Sequence, residues 1–253
     1  MNFVTKLDAA QQRHRSRLCL GLDIVVAKTP LPLLYADEPM LPFARAIIEA
    51  TQDAVCAYKV DLAYYFAEGA AGMVALERIV RLIPDDIPLI FDLGLATLGA
   101  SAAAYARGAF QQFRADAVIV WPQGHEAVIG DILSEPNRAV IVDVPAEEPM
   151  YALRWMQKWR AESPEGSLGM VAYPEQTTGL RVLRGRLPDI PFLVRQWQPD
   201  YKDKLRDLGP ARNGAGFVVC ASDEVLYATR TMEFAEGART AAQVLRERLN
   251  LGW

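Results

Sequence analysis

Eight short apolar runs recur along the chain, and they constrain its fold more than any other feature of the sequence. They are "CLGLD" (19–23), "AVCAYKVDL" (54–62), "PLIFDL" (88–93), "DAVIVW" (116–121), "AVIVDV" (139–144), "LGMVAY" (168–173), "PFLVRQ" (191–196) and "GFVVCAS" (216–222). Most are continuously apolar rather than alternating, the pattern of parallel strands covered on both faces. Their starts lie roughly 20 to 36 residues apart, the length of a strand with its crossover helix. Helical spacing fills the gaps: Phe66, Ala70, Met73, Leu76, Val80 and Ile83 share one face, and Phe234, Ala238, Ala241, Ala242, Leu245 and Leu249 share another. Eight strands alternating with helices in 253 residues predict one (β/α)8 TIM barrel, a single domain over residues 1–253. A doubly wound open sheet rarely uses so many evenly spaced units in so short a chain. The opening stretch, "MNFVTKLDAAQQRHRSRL", predicts an amphipathic N-terminal helix, because it lacks the continuous apolar core of a signal peptide.

Charge and composition exclude several partner classes. A net charge of −4 and a pI near 5.4 argue against a nucleic-acid groove, which needs a strongly basic face. No apolar run approaches the ~18 residues of a membrane span. Cys19, Cys56 and Cys220 form no metal-type cluster and each falls in an apolar run, so they read as reduced, buried small hydrophobes. A cytoplasmic protein with no metal and no cofactor is the expectation. No serine or cysteine nucleophile has a histidine placed beside it; His125 in "WPQGHE" reads as a loop residue and His14 as a surface residue of the first helix.

In a barrel of this kind the site is built at the C-terminal ends of the strands. Those ends are Asp23, Lys59 with Asp61, Asp92, Trp121, Asp143, Tyr173, Arg195 with Gln196, and Ser222 with Asp223. Any one of them serves equally well as a cap for the following helix. Asp23, Lys59 and Asp92, ending three adjacent strands, point instead to a shared site, with Lys59 expected within charge-assisted hydrogen-bond reach of Asp92.

These residues lie in segments that carry a resemblance over almost the whole chain. "LCLGLD", "AYKVDLAYYFAEGAAG", "IFDLGLATLGASAAAYA", "GLRVLRGRLPDIPFLV", "VVCASDEVLYA" and "FAEGARTAAQVLRERLN" resemble successive segments of the orotidine 5′-monophosphate decarboxylase family, in its longer bacterial branch. The resemblance implies a site in which an Asp-x-Lys-x-x-Asp motif ends the third strand. Its lysine protonates pyrimidine C6, its first acid crowds the substrate carboxylate, and its last acid crosses a dimer interface. A second-strand lysine completes the charge network and a first-strand aspartate holds the ribose.

Laid on this chain, the motif is degenerate. Asp92 matches the first acid, but Gly94 stands where the lysine should be and Thr97 where the second acid should be. Asp23 and Lys59 are retained, and Ser101 stands where the family has a threonine near the phosphate side. The family's glycine-rich phosphate loop is replaced by "RQWQPDYKD" (195–203), and its phosphate-gripping arginine by Asp223, after Ser222. The resemblance therefore implies a barrel that has lost decarboxylase activity. Its expected role is to bind another small molecule at the mouth through Lys59, Asp92, Asp23, Ser101, Arg195 and Ser222, or to act as a partner or regulator. A homodimer, or a dimer with a functional paralogue, is implied as well. Two alternatives are an active decarboxylase with a relocated lysine and a different lyase using Lys59 and Asp92, with Asp23 and His125 in support.

Overall fold

The computed structural model describes residues 1–93, 101–121, 128–133, 135–143, 149–163, 167–195, 198, 201–206 and 216–250. Eight parallel strands close into a barrel in sequence order: β1 (Leu18–Gly21), β2 (Ala57–Asp61), β3 (Leu89–Asp92), β4 (Ala117–Val120), β5 (Ala139–Val142), β6 (Ser167–Ala172), β7 (Phe192–Val194) and β8 (Phe217–Ala221). Helix α1 (Phe3–His14) precedes the barrel, and the other helices lie between its strands or after β8: α2 (Leu31–Leu34), α3 (Met40–Thr51), α4 (Leu62–Phe66), α5 (Gly69–Val80), α6 (Ala102–Arg107), α7 (Val128–Leu133), α8 (Pro149–Glu162), α9 (Thr177–Arg186), α10 (Tyr201–Arg206), α11 (Asp223–Leu226) and α12 (Phe234–Asn250). A turn of π-helix, Gly108–Gln112, extends α6.

The strands sort their side chains by parity, as a pleated strand must. One set, including Leu18, Leu20, Tyr58, Val60, Phe91, Val118, Val140 and Phe217, packs outward into the layer shared with the helices. The other set fills the barrel interior: Cys19, Ala57, Ile90, Ala117, Ile119, Ala139, Ile141, Val171, Leu193, Val218 and Cys220. Helix α1 closes the lower end of that interior. Its Phe3, Leu7 and Ala10, at helical spacing, are buried in the same cluster, and Gln11 donates to the Phe217 carbonyl at 2.7 Å. Burial of all three cysteines as free thiols agrees with their reading as small hydrophobes.

Two local expectations are corrected. The face read from Phe66 to Ile83 is broken: Gly69, at φ +62°, separates α4 from α5, and Phe66 is 75% exposed. The buried face of α5 is Gly72, Leu76, Ile79 and Val80. His14 is half-buried rather than on the surface, because its Nδ1 lies 2.7 Å from the Val55 carbonyl at the foot of β2.

Candidate functional site at the barrel mouth

Continuing the inward parity two residues beyond the apolar interior reaches the mouth. Ala57 leads to Lys59, Ile90 to Asp92, Ile141 to Asp143, Val171 to Tyr173, Leu193 to Arg195 and Cys220 to Ser222. Polar groups therefore sit on top of an apolar floor for a geometric reason. A cavity of about 420 Å³ opens there, lined by Asp23, Lys59, Asp61, Tyr64, Tyr173, Arg195, Cys220, Ala221 and Ser222.

Two charge clusters organise this mouth. In the first, Lys59, only 6% exposed, pairs with Asp23 at 3.1 Å, and Asp23 also accepts from the Asp61 backbone N–H at 3.0 Å. Burial opposes the charge on Lys59, but the surrounding acids, Asp23 first, outweigh it and hold its pKa above the ordinary lysine value. Gly21 makes room for this arrangement: a Cβ there would meet Asp23 Oδ2 at 2.8 Å and the Ser222 side chain at 3.1 Å. The Ser222 hydroxyl donates to the Gly21 carbonyl at 3.2 Å.

In the second cluster Arg195 spans the barrel. It pairs with Asp92, on β3, and with Asp143, just beyond β5, at 2.9 Å for the latter. Tyr173 adds a hydrogen bond from its hydroxyl to Asp143 at 2.7 Å. Burial pulls the Arg195 pKa down, and Asp92 and Asp143 more than reverse it. Burial, followed by the bond to Asp143, pushes the Tyr173 phenol up to about 12.

The expected contact between Lys59 and Asp92 is therefore corrected. Lys59 pairs with Asp23, while Asp92 is taken by Arg195. No direct ion pair joins Lys59 and Asp92, and Asp92 acts on Lys59 as one of the nearby charges that raise its pKa. The sequence alone places Arg195 among ligand-binding residues and Asp143 and Tyr173 only at strand ends; inward parity is the signal that groups the three. Asp223 is also changed in character, since Lys28 pairs with it at the head of α11. Ser101 sits exposed at the start of α6, away from the described lining of the cavity. Trp121 is 42% exposed. Gly94, Thr97, His125 and Gln196 lie outside the described residues.

No group of three or more metal-ligating side chains occurs among the described residues, and no described helix is long and apolar enough to cross a membrane. No protein-family model matches the chain. Individual proteins do. The orotidine 5′-phosphate decarboxylase of Thermomicrobium roseum is 35% identical over 269 aligned residues, covering 98% of this chain and 94% of that one. This chain belongs to the orotidine 5′-phosphate decarboxylase family. The decarboxylase of Roseiflexus castenholzii is 34% identical, with 99% and 98% of the two chains covered. Among solved structures, the OMP decarboxylase of Leishmania donovani superposes with a TM-score of 0.78 at 25% identity, covering 99% of this chain and 98% of that one. Arg195, the cation paired with Asp92, lies just beyond β7, across the mouth from β3.

Proposed function

We propose that this member of the decarboxylase family no longer converts orotidine 5′-monophosphate to UMP and that its mouth binds another small molecule. The observation that carries the reading is the bridge from Arg195 to Asp92 and Asp143. Decarboxylation at C6 needs a proton donor beside the nascent carbanion. A guanidinium held by two carboxylates keeps its proton at any working pH. Lys59, the other cation of the cavity lining among the described residues, is occupied by Asp23, and its pKa is shifted away from the neutral range where a general acid works best. The sequence supports the same conclusion, with Gly94 and Thr97 in the places of the motif's lysine and second acid. At the phosphate side, Lys28 is engaged by Asp223, so the repulsion expected of a bare acid becomes a closed ion pair rather than a cation open to a phosphate. Three reduced, buried thiols suit a cytoplasmic setting.

The test is direct assay of purified protein with orotidine 5′-monophosphate, following loss of substrate absorbance and release of carbon dioxide. The expected result is no conversion above the uncatalysed background. UMP formation that disappears in Lys59→Ala would overturn the reading and favour a relocated lysine.

A further inference from the structure

We infer that the ligand of the barrel mouth carries a positive charge, an ammonium or guanidinium group that Asp61 receives. The inference rests on the reading of the mouth as a ligand site given above. Both cations of the cavity lining among the described residues are already engaged, Lys59 by Asp23 and Arg195 by Asp92 and Asp143, so there two cations face three partner acids before Asp61 is counted. Asp61 is the fourth acid. It lines the same cavity, accepts from the Ala63 backbone N–H at 3.0 Å, and has no Lys or Arg within ion-pair distance among the described residues. Among the described residues each cation of the lining is already neutralised by a carboxylate, so an anionic ligand entering here meets no uncompensated positive charge, whereas a cation finds a half-buried carboxylate with no ion-pair partner.

The other lining groups fit the same chemistry. Tyr64 and Tyr173 border the cavity, and aromatic faces attract ammonium and guanidinium groups by about 0.5–2 kcal/mol at sites of this kind. A cavity near 420 Å³ is large enough for a small organic cation. Its floor at Cys220 and Ala221 suits an aliphatic stem.

Calorimetric titration of the full chain with agmatine, choline and inorganic phosphate tests this. Saturable binding of agmatine or choline is expected, with none for phosphate. Asp61→Asn should weaken cation binding about tenfold or more while leaving the thermal midpoint of the free protein unchanged, because asparagine caps α4 as well as aspartate does. Phosphate binding more tightly than either cation, no saturable heat with either cation, or full affinity in Asp61→Asn would each overturn the inference. UMP formation in the decarboxylase assay would sink the reading of the site instead. A protein that forms no UMP and ignores both cations would sink this inference alone.

Discussion

At the scale of single residues, Arg195 keeps two carboxylates apart from one another's charge, and Asp92 is only 2% exposed. Removing one partner of a buried ion pair typically costs about 3–5 kcal/mol, and the 30% exposure of the Arg195 side chain reduces that. Arg195→Met is expected to lower unfolding free energy by roughly 2–4 kcal/mol in urea titration, with Asp92→Asn in the same chain restoring a large part of it. If Arg195→Met were as stable as the parent, the bridge would have no structural weight. A pH effect follows from Tyr173. Its proton is held more tightly in the folded chain than in the unfolded one, so the stability it contributes is complete below the ordinary tyrosine value near 10 and drains away as pH climbs toward about 12. Lys59 acts in the same direction, since its raised pKa favours the folded state until pH passes the ordinary lysine value. Tyr173→Phe should therefore flatten part of the alkaline fall in urea midpoint and leave the Lys59 part; an unchanged slope would count against a phenol held above its ordinary value by burial and the Asp143 contact.

At the scale of elements, Gly72 shows how tertiary packing overrides propensity. Alanine is the better helix former by ~1 kcal/mol. Yet a Cβ at Gly72 of α5 would lie 2.0 Å from the Tyr65 carbonyl oxygen of α4, and backbone cannot yield there cheaply. Gly72→Ala is expected to destabilise by about 1–3 kcal/mol in thermal or urea unfolding, and any gain in stability would contradict the close α4–α5 approach. The same pair of helices marks a limit of sequence reading. A 3.6-residue period over 66–83 says nothing of the left-handed turn at Gly69, which needed the glycine's φ rather than its neighbours' hydropathy. The strands, by contrast, were legible because buried parallel strands must be continuously apolar, although the hydrogen-bonded cores are shorter than the runs: "AVCAYKVDL" yields only Ala57–Asp61. The choice of partner for Lys59 was not legible. In register, Gly21 and Ile90 flank it on the two neighbouring strands, and both Asp23 and Asp92 lie two residues beyond those flanking positions. Strand order alone leaves the two acids equivalent; Arg195, arriving from β7, breaks the tie by taking Asp92.

At the scale of the whole molecule, the surface beside α4–α6 exposes large apolar side chains. Phe66 is 75% exposed, Val74 52% and Tyr105 41%, and nearby an apolar cavity of about 280 Å³ is lined by Leu62, Met73, Phe91, Leu93, Tyr105 and Phe113. Exposed apolar groups around an apolar recess are the usual mark of an association surface. The dimer that the family resemblance implies would cover it if a second copy docked here, which would explain why Phe66, at the end of α4, points away from the core its period suggested. Sedimentation velocity at micromolar concentration should therefore give the mass of a dimer. Phe66→Asp combined with Tyr105→Asp should shift it to the monomer while circular dichroism stays native, because neither side chain belongs to the buried core. The thermal midpoint should then become less dependent on protein concentration, as expected when association no longer stabilises the folded chain. A parent chain that sediments as a monomer at that concentration would leave the exposed aromatics without a partner of their own kind and would remove the dimer from this account.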